Sequence, residues 1–210
     1  DRIFIWQGDF RLIIAIIKDL EDRMNVEHDT GSVGVQSILL IEDNMRFYSS
    51  LLPEMYTEIL NQSKRLISEG KNISQRYLRM RARPKILFCT DYESAMEYFT
   101  KYREAILGVI SDIDFPRGSA PDPRAGLDFA RHVKGLQPDM PVLLQSYHPE
   151  IEREAAGVEA AFVLKASDSM LEGIKSFMKG SFSFGDFIFR TEDGREVGRA
   201  KDLRSLEEQL

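Results

Sequence analysis

Glu42, Asp43 and Asp112 stand at the ends of apolar runs, Ser37 to Ile41 and Ile106 to Ser111, and that placement opens chemistry beyond simple solvation. Two carboxylates about 4 Å apart repel by roughly 4 kcal/mol at an effective dielectric near 20, so acids drawn together hold a proton or a cation. Oxygen donors with spare water positions suit Mg²⁺, a hard ion that also bridges to phosphate. Taken alone, the three acids are equally well read as solvated loop residues. Two more apolar runs change the balance, because Val142 to Gln145 is followed by Ser146 and Ala161 to Leu164 by Lys165. Each has a plain reading by itself, a loop serine and a solvated lysine. Together, an aspartate nucleophile, a divalent ion, a hydroxyl and an ammonium are the parts needed to form and hold an acyl phosphate.

Such a site requires a scaffold that gathers strand ends. Short apolar runs bounded by polar residues are the pattern of parallel strands buried on both faces, and five occur here, counting Lys85 to Cys89. Helical spacing fills the gaps between them. It runs through Phe47, Leu51, Met55, Ile59, Leu66 and Ile67, with Pro53 expected to kink or interrupt it and Gly70 to stop it. It recurs through Tyr92, Ala95, Met96 and Phe99 behind a capping Asp91, from Leu127 to Leu136, briefly after Pro149, and through Leu171, Ile174, Phe177 and Met178 behind Ser167 or Asp168. The alternation predicts an α/β fold, a doubly wound five-stranded parallel sheet with ligands at the C-terminal strand ends.

The flanks break this rhythm. Arg2 to Trp6 reads as a strand, Asp9 as the cap of a helix carrying Leu12, Ile13, Ile16, Ile17 and Leu20, and His28 to Gln36 as a polar linker. A hairpin signal, Thr191-Glu192-Asp193-Gly194, lies between Asp186 to Arg190 and Glu196 to Val197, and a charged helix ends the chain. The expected division is therefore 1–36, 37–180 and 181–210.

Composition narrows the function classes. Hydrophobic residues at 43% and charged residues at 30% of 210 describe a globular chain, and a net charge of −6 offers no general attraction to nucleic acid or an anionic membrane. Leu12 to Ile17, the longest aliphatic stretch, is far too short to span a bilayer. The single cysteine, Cys89, cannot form an intramolecular disulfide and reads as a small core residue in a reducing, cytoplasmic setting. Gly31 and Gly34 do not have nucleotide-loop spacing, and His28, His132 and His148 form no metal-ligand pattern.

Residues 37–179 resemble the response-regulator receiver domains of two-component signalling, motif by motif and in order. Ile38-Leu39-Leu40-Ile41-Glu42-Asp43-Asn44 resembles the first-strand acidic pair, and Val109-Ile110-Ser111-Asp112-Ile113-Asp114-Phe115-Pro116 the phosphoacceptor strand. Pro141-Val142-Leu143-Leu144-Gln145-Ser146 resembles the strand bearing the switch hydroxyl, and Phe162-Val163-Leu164-Lys165 the one bearing the switch aromatic and the lysine. The resemblance implies a flavodoxin-like sheet of order 2-1-3-4-5, with Asp112 as phosphoacceptor. It implies Mg²⁺ on Glu42, Asp43, Asp112 and the main-chain carbonyl of Asp114, phosphoryl contacts from Ser146 and Lys165, and switching through Ser146 and Phe162. It further implies a histidine kinase or histidine phosphotransfer protein as donor, an output domain in the same or another chain, and signalling rather than enzymatic turnover. A homodimer is one allowed state on separate grounds, since the opening strand with Ile3, Phe4, Ile5 and Trp6 must bury its apolar face on the main domain or on a second copy. The switching surface would fall at residues 149–179. The opening strand and helix resemble the end of a preceding receiver, as in a tandem or multidomain regulator, and the whole faintly resembles N-terminal regions of proteins related to pyruvate phosphate dikinase.

Several features depart from the family pattern. Ala166 stands where proline is usual, and Tyr147 where a small residue is usual. About forty residues separate the first two strands, many more than one ordinary helix requires. That insertion ends in Arg76, Arg79, Arg81, Arg83 and Lys85 around Tyr77, most simply a solvated face and otherwise a dock for an acidic partner. The segment from Arg117 to Arg124 is also long, either an inert insertion or a partial lid beside Asp112. Two rivals remain. A degenerate receiver would act only as a binding module, and a haloacid-dehalogenase-type phosphatase would use Asp112-Ile113-Asp114; its metal acids should follow the lysine, where only Asp168 stands.

Overall fold

A computed structural model describes residues 2–68, 83–182, 187–191, 193 and 195–200. Its centre is a sheet of β1 (Ser37–Ile41), β2 (Lys85–Cys89), β3 (Ile106–Asp112), β6 (Val142–Ser146) and β7 (Ala161–Leu164), all pairs parallel, in the order β2-β1-β3-β6-β7. This is the doubly wound sheet expected from the alternation, in the flavodoxin-like order that the receiver resemblance implies. Every residue of β1, β2 and β6 is buried, their apolar middles because strands covered on both faces leave water no side, and Ser37, Lys85, Gln145 and Ser146 at their ends along with them.

Successive side chains feed opposite cores. Leu39 and Ile41 pack with Leu87, Val109, Phe99 and Phe129 under α3 (Tyr92–Tyr102) and α4 (Ala125–Leu136). Ile38 and Leu40 pack with Phe88, Ile110, Leu51 and Ile174 under α2 (Met45–Ser68) and α6 (Met170–Ser181). A short α5 (Glu152–Gly157) joins β6 to β7. The helix of α2 continues through Pro53 rather than breaking there, and Gly70, its expected stop, lies outside the described residues.

The segment from Arg117 to Arg124 is not an open loop. β4 (Phe115–Arg117) and β5 (Ala120–Asp122) form a small antiparallel hairpin. Arg117 fastens it, paired with Asp122 and Asp128 at 3.3 Å each and lying 3.9 Å from the Tyr92 ring centroid.

At the N-terminus α1 (Arg11–His28) packs on α2 and β2. The opening residues form no strand. Their polar backbone groups are met by side chains of α2 instead, Ser49 Oγ accepting from the Ile5 N–H at 3.0 Å and the Tyr48 hydroxyl donating to the Ile3 carbonyl. The cap position of α1 is Phe10 rather than Asp9, although the Asp9 carboxylate accepts the Arg11 N–H at 2.9 Å. The expected linker is structured as well, since α1 passes into a π-helical turn at Asp29–Val33, Val35 is buried, and Asp29 pairs with Lys85 at 2.7 Å. At the other end β8 (Phe187–Arg190) and β9 (Glu196–Ala200) make the expected hairpin, and the helix expected to end the chain falls outside the described residues. No helix among the described residues is long and apolar enough to cross a membrane.

Candidate functional site

Parallel register brings the C-terminal ends of β1, β3, β6 and β7 to one edge of the sheet, and with them the residues that follow. Glu42, Asp43 and Asp112 each present a carboxylate oxygen, all within 4.8 Å of one another. Lys165 reaches in from the end of β7. Its Nζ donates to Asp112 Oδ2 at 2.5 Å and to Glu42 Oε2 at 2.7 Å, and all three residues are buried.

The remaining bonds fix both acids. Glu42 also accepts from the Gln145 amide at 3.0 Å and from the Asn44 N–H at 3.1 Å. Asp112 Oδ1 accepts the Ile113 N–H at 2.7 Å. Asn44 in turn begins α2, its side-chain oxygen accepting from the Arg46 and Phe47 N–H groups at 3.1 Å. The acid loop and the first turn of that helix are thus one bonded unit.

Electrostatics follow from three carboxylates facing one ammonium. Burial, then the charge of Asp112, push the Glu42 carboxyl up to about 8 against the opposing pull of Lys165. Burial and Asp112 also raise Asp43, which stands nearer the solvent. For Lys165 burial favours the neutral form, but Glu42 and Asp112 outweigh it and its pKa is raised. One ammonium leaves the cluster short of positive charge. Hard oxygen donors with a charge deficit fit a divalent cation such as Mg²⁺, with Glu42, Asp43 and Asp112 to hold it.

Ser146 lies at the same edge, tied to Lys165 by the Lys165 N–H to Ser146 carbonyl bond of 2.8 Å. Its Oγ accepts the His148 N–H at 3.1 Å. Asp114 is exposed just beyond β3, and Phe162 is half-buried against the core under α3 and α4. Two contributors were not singled out in the sequence as parts of the site. Gln145 read only as the end of a strand, and Phe47 only as a core position of a helix; its ring centroid lies 4.3 Å from Lys165 Nζ, with the Tyr147 ring 5.6 Å away on the open side. A third, Gly126 of α4, sits directly against the Asp112 backbone.

No family model and no curated protein sequence matches the chain. Solved structures do. A response regulator receiver domain protein from Clostridium thermocellum is 18% identical over 71% of this chain and 95% of its own, with a TM-score of 0.46. Chemotaxis protein CheY4 of Vibrio cholerae is 16% identical over 70% and 98%, at 0.44. Response regulator TrrA of Thermotoga maritima, solved in complex with Mg²⁺-BeF, is 19% identical over 68% and 99%, at 0.39. The solved structures to which the chain is similar thus include response regulator receiver domains.

Proposed function

We propose that the chain is a phosphoacceptor receiver of a two-component phosphorelay, in which Asp112 takes a phosphoryl group beside Mg²⁺ and the new charge switches a protein-binding surface. The observation that carries this reading is the bridge of Lys165 from Asp112 to Glu42 inside a three-carboxylate cluster. A bound Mg²⁺, held by Glu42, Asp43, Asp112 and the Asp114 carbonyl, would neutralise charge on the phosphoryl oxygens.

An Asp112 carboxylate oxygen attacks the phosphorus of a phosphohistidine on a kinase or phosphotransfer protein. The P–O bond forms as the P–N bond breaks, and the histidine leaves with the bond electrons and takes a proton. Lys165, already on Asp112 Oδ2, passes to a phosphoryl oxygen, while the Ile113 N–H keeps hold of Oδ1. Ser146 completes the contacts by releasing the His148 N–H and turning inward, which vacates the space into which Phe162 rotates. The surface that changes is residues 149–179. The product is a switched state read by an output domain in the same or another chain in the cytoplasm, rather than turnover of a metabolite.

Intact mass after incubation with acetyl phosphate and Mg²⁺ tests the reading. The native chain should gain about 80 Da, one phosphoryl group, and Asp112→Asn should gain nothing. A native chain that stays unmodified with a small donor and with a phosphohistidine donor would overturn it.

A further inference from the structure

α1 has two apolar faces, and only one is used. Leu12, Ala15 and Val26, with Asp19 and Asp22, are buried against the sheet domain. On the opposite side Phe10, Ile13, Ile17, Leu20 and Met24 are between 46% and 74% exposed. Their spacing alternates three and four, the period that keeps one seam of a helix facing a second helix. Ile14 and Ile16, at 44% and 36% exposed, widen the seam on either side. Together these side chains leave on the order of 600 Å² of apolar surface uncovered, at the top of what a monomer's largest patch shows.

We infer that this seam is the dimer interface of the chain, formed by α1 of two copies crossing antiparallel about a two-fold axis near Ala15. The choice of a second copy rests on self-complementarity. In the antiparallel register centred there, Phe10 meets Leu20 of the second copy and Ile13 meets Ile17, each twice by symmetry, while Ile14 and Ile16 meet their own equivalents at the flanks. The same register sets Asp9 opposite Arg23 of the second copy, also twice. Arg23 is exposed and has no ion pair within the chain among the described residues, and Asp9, though held to Arg11 at 2.7 Å, remains 36% exposed at its side chain. A parallel pair would instead set Asp9 against Ile14 and Arg23 against His28, with no charge matched. Two such helices hide about 1,200 Å², the lower edge of the range for specific interfaces, so a reversible dimer is expected.

Sedimentation equilibrium of the full chain should show twice its 24.1 kDa mass at high concentration and dissociation on dilution. Ile17→Glu places two charges in the seam and should weaken association by about a hundredfold or more, since central apolar positions dominate such interfaces. Leu136→Glu, at an exposed apolar residue on α4, should leave it unchanged. Orientation is read by disulfides: a mixture of Ile13→Cys and Ile17→Cys should cross-link one variant to the other, with Cys89 buried and out of reach. A native chain that stays monomeric, a dimer that survives Ile17→Glu, or Ile13→Cys cross-linking only to itself would overturn the proposal.

Discussion

Glu42 is enclosed by protein and shares one ammonium with Asp112, which makes the site sensitive to pH. Burial first, and then the Asp112 charge, raise its pKa from 4.5 to about 8. The folded state therefore binds a proton that the unfolded chain gives up. The resulting stabilisation is full below pH 4.5 and is lost as pH rises toward 8, with a slope of up to about 1.4 kcal/mol per pH unit for one proton. Urea midpoints of the native chain in chelator should fall between pH 6 and 8, and Glu42→Gln should flatten that fall. An equal slope in both proteins would remove Glu42 as its source. At this scale the sequence exposes the acids, the serine and the lysine, because each ends an apolar run. It hides Gln145, whose partner Glu42 lies 103 residues away and is met only through the strand order. It also hides the second task of Phe47, since a ring in a helix core has the same spacing whether or not a lysine lies over its face.

Between elements, the closest approach at the site is α4 against the end of β3. A Cβ built on Gly126 would lie 2.1 Å from the Asp112 carbonyl oxygen and 2.8 Å from Ile113 Cα, both backbone atoms with no rotamer to give way. Gly126→Ala should push helix and strand apart, costing about 1–3 kcal/mol as overpacking does, and should slow phosphoryl uptake by shifting Asp112. Gly135→Ala, near the far end of the same helix with nothing within 4 Å, should instead stabilise by about 0.5–1 kcal/mol. Thermal melts and timed intact-mass measurements on the two variants separate these outcomes; equal behaviour would show that the contact constrains nothing. The elements were legible where periodicity was unbroken, as in the five strands and α4. Local signals failed where tertiary packing outweighed them. Pro53 removes one helical N–H at a cost of about 3 kcal/mol, yet α2 runs on because Leu51, Leu52, Met55, Tyr56 and Ile59 are all pressed onto the sheet. The polar stretch after His28 reads as a linker until Asp29 is seen to bind Lys85, a contact 56 residues distant in the chain.

Across the whole molecule, α1 is joined to the sheet domain by charge as well as by its apolar face. Asp22 is fully buried and binds Arg83 through both oxygens. It also accepts from the Tyr56 hydroxyl at 3.0 Å and from the Ile86 N–H at 2.8 Å, with Lys85 Nζ at 3.5 Å. Arg83 and Lys85, read from the sequence as the end of a solvated basic face, are thus enclosed structural cations; Arg76, Arg79 and Arg81 lie outside the described residues. Asp22→Ala would leave the Tyr56 hydroxyl and the Ile86 N–H without their buried acceptor and Arg83 with only the Pro84 carbonyl and the more distant Glu21 carboxylate, a loss of about 3–5 kcal/mol, or about 10 °C in Tm for a chain of this size. The network surrounds the N-terminal end of β2, whereas Asp112 lies at the C-terminal end of β3 in a parallel sheet, so the two sites occupy opposite edges. Asp22→Ala should accordingly lower Tm while leaving phosphoryl uptake at low temperature unchanged. Uptake lost at a temperature where the variant is still folded would mean instead that α1 and the acid cluster are coupled through the sheet.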